Sequence, residues 1–227
     1  MAGVLWLAQG GALRCRTEHS LHILPPTLAL WVAQGVRSEV QGLGGARLRR
    51  IELALADEGV EGPVAPSCRV TLAGPLLASL ADTLDGVADD DSATPRQRLA
   101  LAVAREELQR AEPLPIGIAL PRSPALRRAC EAALREEGAG DCSLPALAEA
   151  AHTSVRTLAR RFQQELATPF SEWRSQVRLA RMIMLWAEGR SLGASAAAVG
   201  YANPSAMSFM VRRLVGMTPS RLLMSRP

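Results

Sequence analysis

Lysine is absent. All 26 basic residues of this 227-residue chain are Arg, a side chain suited to bidentate recognition of phosphates and base edges, although a GC-rich genome produces the same bias. Aromatics are scarce at 4%, with a single Tyr, which argues against an aromatic-rich sandwich or a sugar-stacking platform. No apolar run reaches the roughly 18 residues that a membrane-spanning helix needs. The opening MAGVLWLAQGG has no basic residue ahead of its short apolar stretch, so it is a poor secretion signal. Cys15, Cys68, Cys130 and Cys142 lie far apart with no CxxC pair. That spacing suits neither a zinc site nor a dense disulfide framework and predicts reduced thiols in a cytoplasm. A Gly-rich phosphate loop, HExxH and GxSxG are missing as well.

What the chain does have is ordinary core-forming material, 48% hydrophobic and 21% charged, which excludes disorder along the whole length. Its charge is unevenly placed. Residues 141–227 carry 11 Arg against five acids, net +6, whereas residues 1–140 carry 15 Arg against 17 acids. A basic C-terminal third on a near-neutral body points to a polyanion-binding module, the bland alternative being a solvated charged face.

Short apolar runs at 4–7, 21–24 and 28–32, separated by Gly, Pro and polar breaks, read as strands, and Arg47–Ala56 alternates in part as a half-buried strand does. QGLGG at 41–45 reads as a turn. From Gly74-Pro75 the period becomes helical through Leu76, Leu77, Leu80 and Leu84. After the acidic loop ADDDSA, Thr94-Pro95 starts a helix running to about Gln109. Its apolar positions Leu99, Ala102, Val103 and Leu108 suit packing on the sheet or against a second copy. Pro113, Pro115, Pro121 and Pro124 punctuate a connector that cannot be continuous helix, with a domain boundary near 122. Helices are predicted at about 124–137, 144–151, 154–165, 171–188, 192–199, 204–214 and 219–224.

Two segments share a layout of short helix, tight turn and second helix with a polar or small outer face. In the first, residues 143–166, Leu144, Leu147 and Ala148 supply the buried face of the opening helix, with Ser143 and Ser154 as caps. Val155, Leu158 and Phe162 point inward, leaving Arg156, Thr157, Arg160, Arg161 and Gln164 outside, a face that fits a major groove. In the second, residues 191–219, Leu192, Ala196, Val199 and Tyr201 form the apolar face. Gly200 suits a left-handed helix end, Asn203-Pro204 opens the next helix, and Arg212-Arg213 lie near its close. A long helix, Ser171 to Glu188, joins them with Trp173, Val177, Ala180 and Met184 on one side.

This pair of motifs joined by a long helix resembles the AraC/XylS-type transcriptional regulators over about residues 124–224. The matching phrases are RTLARRF, FSEWRSQVRLARMIMLWAEGRS, VGYANPSAMSFMVRR and GMTPSRLL. Residues before that resemble the family's cupin-type sensor domain, through TEHSLHILPPTLALWVAQGVRSEV and CRVTLAGPLL. The resemblance implies an α+β chain: a small cupin-like β domain (1–72), a helical linker region and candidate dimerisation element (73–122), and an all-α DNA-binding domain (123–227). It implies a cytoplasmic regulator of transcription that binds promoter DNA, with RNA polymerase, a small-molecule effector and a second copy of the chain, met through the N-terminal domain and residues 95–109, as further partners. No cofactor, metal or membrane partner is implied. Base contacts carried over from the family fall at Arg156, Ala159 and Arg160, then at Pro204, Ser205, Ser208 and Phe209, with Arg212 and Arg213 on phosphates; Ser154, Thr157, Arg161 and Gln164 complete the candidate set.

The chain also departs from the family. It starts after the usual His-containing strand motif, so the barrel is expected to be short of strands and to leave an exposed edge. The later family His falls at Ser38, so the metal site of many cupins is expected to be missing. Ala167 stands where Gly is usual, Met207 and Val211 replace two Phe, and Ser195 replaces Ile or Val, which predicts a looser second half. His19 and His22 are three apart, but on a strand they face opposite sides and make a poor metal pair. His152, beside the first turn, reads as structural. The competing class, a cupin-type ligand-binding protein or enzyme with a helical interaction domain, lacks a metal cluster or a His/carboxylate set to carry it. Salt-dependent affinity for duplex DNA separates the classes.

Overall fold

A computed structural model describes residues 2–55, 68–89, 92–135, 142–201 and 203–223. Seven strands come first: β1 (Ala2–Gln9), β2 (Ala12–Thr17), β3 (Ser20–Leu24), β4 (Leu28–Ala33), β5 (Ser38–Leu43), β6 (Arg47–Ala54) and β7 (Cys68–Leu72). Helices α1 (Pro75–Leu84) and α2 (Pro95–Arg110) follow, then the two-residue strand β8 (Ile118–Ala119). Seven helices complete the α+β chain: α3 (Pro124–Arg135), α4 (Leu144–Ala150), α5 (Val155–Leu166), α6 (Phe170–Ala187), α7 (Leu192–Ala198), α8 (Pro204–Val215) and α9 (Pro219–Leu223). The ends predicted at 136–137 and 224, and Asp90-Asp91 of the acidic loop, lie outside the described residues.

The strands form two antiparallel sheets of four, β6-β1-β4-β7 and β5-β2-β3-β8. Eight strands stand among the described residues, seven within residues 1–72 and the eighth from the connector. QGLGG is only partly a turn. Gln41 to Leu43 stay in the ladder opposite Arg14 to Ala12, and Gly44-Gly45, with φ of 60° and 74°, make the reversal that a side-chain-bearing residue resists. The Pro-rich connector carries no helix, as its prolines dictate, but Ile118 and Ala119 pair with Leu21 and Ser20. Two residues are too few for periodicity to register. The free edge of β6 is covered: Glu52 N donates to Val87 O at 3.3 Å, and Gly86 N donates to Arg50 O at 2.8 Å.

One face of the first sheet buries Leu5, Leu7, Trp31, Ile51 and Leu53 against α1 and α2, through Leu77, Leu84, Leu101 and Leu108. Helix α2 opens with a capping box between Thr94 and Gln97 and with Pro95 in its first turn. The four apolar positions read as one set on α2 divide. Leu108 is buried with Leu101 and Ala104, whereas Leu99 is 72% and Val103 41% exposed, and Ala102 is exposed beside them. At about 100° per residue, positions 99, 102 and 103 point away from 101, 104 and 108.

Between the sheets lie Leu13, Leu24, Leu28, Leu30, Val32 and Val70, and that core continues through Leu21 and Ile23 into the helical half. His22 is buried in it. Its Nδ1 donates to Ile116 O at 3.1 Å, which leaves Nε2 to accept from the Ser20 hydroxyl at 3.0 Å. Burial lowers its pKa from 6.5 to about 4, so the ring is neutral. His19 sits in the exposed turn before β3. No group of three or more His, Cys, Asp or Glu among the described residues is placed to hold a metal ion. No helix among them is long and apolar enough to cross a membrane.

Candidate nucleic-acid interface

The first helix-turn-helix unit is α4 and α5. Ser143 Oγ accepts from Ala146 N at 3.3 Å and Ser154 Oγ from Thr157 N at 3.1 Å, so both serines cap as the sequence predicts. The turn between the helices is tight: His152 has φ 49°, and its N–H donates to Glu149 O at 2.9 Å. Helix α5 buries Leu158, Phe162 and Leu166. Val155, expected to point inward, is 43% exposed; the buried stripe advances four residues at a time from Leu158, and the first turn stands clear of it. The outer face carries Ser154, Arg156, Ala159, Arg160 and Gln164, all exposed, with Thr157 and Arg161 half-buried. Ser154 and Thr157 also hydrogen-bond each other at 2.9 Å, so their hydroxyls order the helix start.

Behind α5 the core is aromatic. The Phe162 ring meets Phe170 edge-to-face at 5.3 Å and Trp173 at 5.4 Å. Ala167, the usual Gly position, ends α5 with φ 50° and ψ 23°, a left-handed conformation that costs a Cβ-bearing residue about 1 kcal/mol.

The second unit is α7 and α8. Asn203 Oδ1 accepts from Ala206 N at 2.8 Å, Pro204 fills the first turn, and Gly216 with φ 74° closes α8. Its buried side is Met207, Met210, Val211 and Val215, facing Ala196 and Val199. Ser195 is fully buried on α7 and its hydroxyl has no hydrogen-bond partner. Pro204, Ser205, Arg212 and Arg213 are exposed and Ser208 half-buried. Phe209 is 70% exposed, a large apolar ring presented to solvent. Arg213 Nη2 lies 3.6 Å from Glu172 Oε1 on α6, so part of its charge is held within the fold.

Helix α6 joins the units, and its one-sided pattern proved incomplete. Trp173, Val177 and Ala180 are buried as predicted and Met184 is half-buried, but Leu179, Met182 and Ile183 are buried too. The reason is a second neighbour: α6 also lies against β3 and β8. Trp173 Nε1 donates to Ala119 O at 2.9 Å, and Arg178 stacks its guanidinium over Tyr201 at 5.4 Å. Spacing on α6 shows that these positions are apolar or long, without saying which element they meet. Two Ser- or Asn-capped helices thus turn basic and small residues outward from packed inner faces, the arrangement that lets a helix enter a groove.

Residues 147–225 match the family model described as a helix-turn-helix domain. Over 224 residues the chain is 27% identical to the HTH-type transcriptional regulator NimR of Escherichia coli, covering 97% of this chain and 79% of that protein. The C-terminal part of the chain is thus a helix-turn-helix domain, and the chain is similar over nearly its whole length to an HTH-type transcriptional regulator. The HTH-type transcriptional regulator RipA of Corynebacterium glutamicum is 36% identical over 98 residues, 43% of this chain and 30% of RipA. Among solved structures, ToxT from Vibrio cholerae aligns with 97% of this chain and 88% of its own, at 12% identity and a TM-score of 0.43.

Proposed function

We propose that the regulator reads DNA with unequal hands: α5 selects sequence, and α8 chiefly positions the protein. Arg156 and Arg160 donate to base edges, and Ala159 allows close approach. Pro204, Ser205, Ser208 and Phe209 offer two hydroxyls and a ring that touches thymine methyls, while Arg212 and Arg213 hold phosphates. The two helices enter successive major-groove segments about one helical turn apart. The observation that carries this reading is α5, whose exposed Arg156, Arg160 and Gln164 stand opposite the buried Leu158, Phe162 and Leu166.

Around that function we place a β domain of residues 1–72, a linker and dimerisation region of 73–122 and a DNA-binding domain of 123–227, working in the cytoplasm. The exposed Leu99, Ala102 and Val103 of α2 supply the homodimer face. A small-molecule effector acts through the β domain and RNA polymerase receives the regulated complex. The test is titration of the purified chain against duplex DNA from upstream of its own gene and against a scrambled duplex, each across a range of salt. Tighter binding to the upstream duplex, with log affinity falling linearly in log salt, is the expected result. No binding of any duplex at low salt overturns the proposal.

A further inference from the structure

The strap between α2 and α3 is gripped from three directions. Leu114 N donates to Val70 O of β7 at 2.8 Å, while β8 pairs with β3 and Leu120 N donates to His19 O at 2.8 Å, so the strap ties the two sheets together. From inside the sandwich, His22 donates to Ile116 O, and its ring lies so near Gly117 that a Cβ there would come 2.6 Å from Cε1. From outside, Gln176 of α6 holds the same stretch twice: Nε2 donates to Pro115 O at 2.6 Å, and Oε1 accepts from Gly117 N at 3.4 Å.

Helix α6 in turn sets both reading helices, through Trp173 against Phe162 of α5 and Arg178 over Tyr201 ahead of α8. Trp173 is a core residue whose removal would collapse the packing around it. Gln176, half-buried beside an open crevice lined by Leu21, Ile116 and Leu179, has polar work only.

We propose that Gln176 is a positioning residue for DNA recognition: its paired bonds to the strap hold α6 at one rotation, so that α5 and α8 face a duplex together. This rests on the two-helix reading above. Each unit is also tied to the body apart from α6: Ser123 N donates to Glu165 of α5, and the Thr27 hydroxyl donates to Leu222 O of α9. A rolled α6 therefore leaves each recognition helix intact and spoils their joint fit, and the loss falls on the linked gain of two simultaneous contacts.

The wild-type full chain is used to enrich a duplex from a random library, and one of its two motifs is then scrambled to give a half-site control. Gln176→Met, which removes both bonds at similar volume, is expected to weaken the two-motif duplex about tenfold while leaving the half-site duplex within about twofold of wild type. Gln176→Glu, nearly isosteric and suited to a half-exposed position, sets a carboxylate against Pro115 O and is expected to do the same, which keeps the test open should the Met variant fail to fold. Equal losses on both duplexes, or no loss with either variant, overturn the proposal. Failure of the wild-type chain to enrich any duplex overturns the two-helix reading beneath it.

Discussion

In the first helix-turn-helix unit α5 rests on three interlocked rings, Phe162, Phe170 and Trp173; in the second, α8 rests on Met207, Met210 and Val211, beside a buried Ser195 hydroxyl that bonds to nothing. The same layout is thus filled with stiff aromatic material once and with flexible thioether and small residues the second time. Their outer faces differ in parallel, Arg156 and Arg160 against Ser205, Ser208 and Phe209. An aromatic cluster thus lies behind the guanidiniums of the first unit, and thioether and aliphatic side chains lie behind the hydroxyls and ring of the second.

Phe162→Ala should break the contrast most severely. It removes the centre of the aromatic cluster and is expected to destabilise by about 3–5 kcal/mol, measured by denaturant unfolding. Acid is expected to act on the β side. His22 stays neutral in the fold, so as pH falls from 6.5 toward 4 the unfolded chain takes up a proton that the native one refuses. Stability should decline by about 3 kcal/mol across that window, and a His22→Gln variant should show a flatter pH profile. Arg160→Ala is expected to cost about 1–3 kcal/mol of specific DNA affinity and to relax preference at one base step. Ser208→Ala should cost well under that, and the reverse order would end the division of labour proposed for the two helices.

Two smaller changes sharpen the comparison by improving each unit. Ser195→Ala removes the orphaned hydroxyl and should raise stability by about 1–2 kcal/mol, seen as a higher melting temperature. Ala167→Gly relieves the left-handed end of α5 and should add about 1 kcal/mol or less, since glycine also loses more chain entropy on folding.

Much of this was legible in the residues. The caps Ser143, Thr94, Ser154 and Asn203 marked helix starts because a short polar side chain satisfying a free N–H is a local event. The strands at Val4–Leu7, Leu21–Leu24 and Leu28–Val32 stood out for the same reason, as runs of apolar residues bounded by turn formers. What stayed hidden depended on distant partners. Nothing near Arg49 says that it is buried on β6 between Asp82 and Asp85. Nothing near Arg16 announces Glu131 of α3. Nothing near Gln176 announces Pro115 and Gly117 of the strap. Val155 and the two stripes of α2 were misjudged because helical spacing gives relative direction, whereas the neighbour decides which direction is inside.

The core that fills the sandwich runs without interruption through Leu21, Ile23, Leu179 and Ile183 to Leu222 beneath the second unit, while the layer of α1 and α2 on the opposite face of the first sheet has a core of its own. The shared core therefore crosses the boundary between the β sandwich and the helical half. On that basis the sandwich and the helices of the second half are expected to unfold together, with the α1–α2 layer opening first in hydrogen exchange. In a chain built this way, a change in one half reaches the other as a redistribution of shared packing.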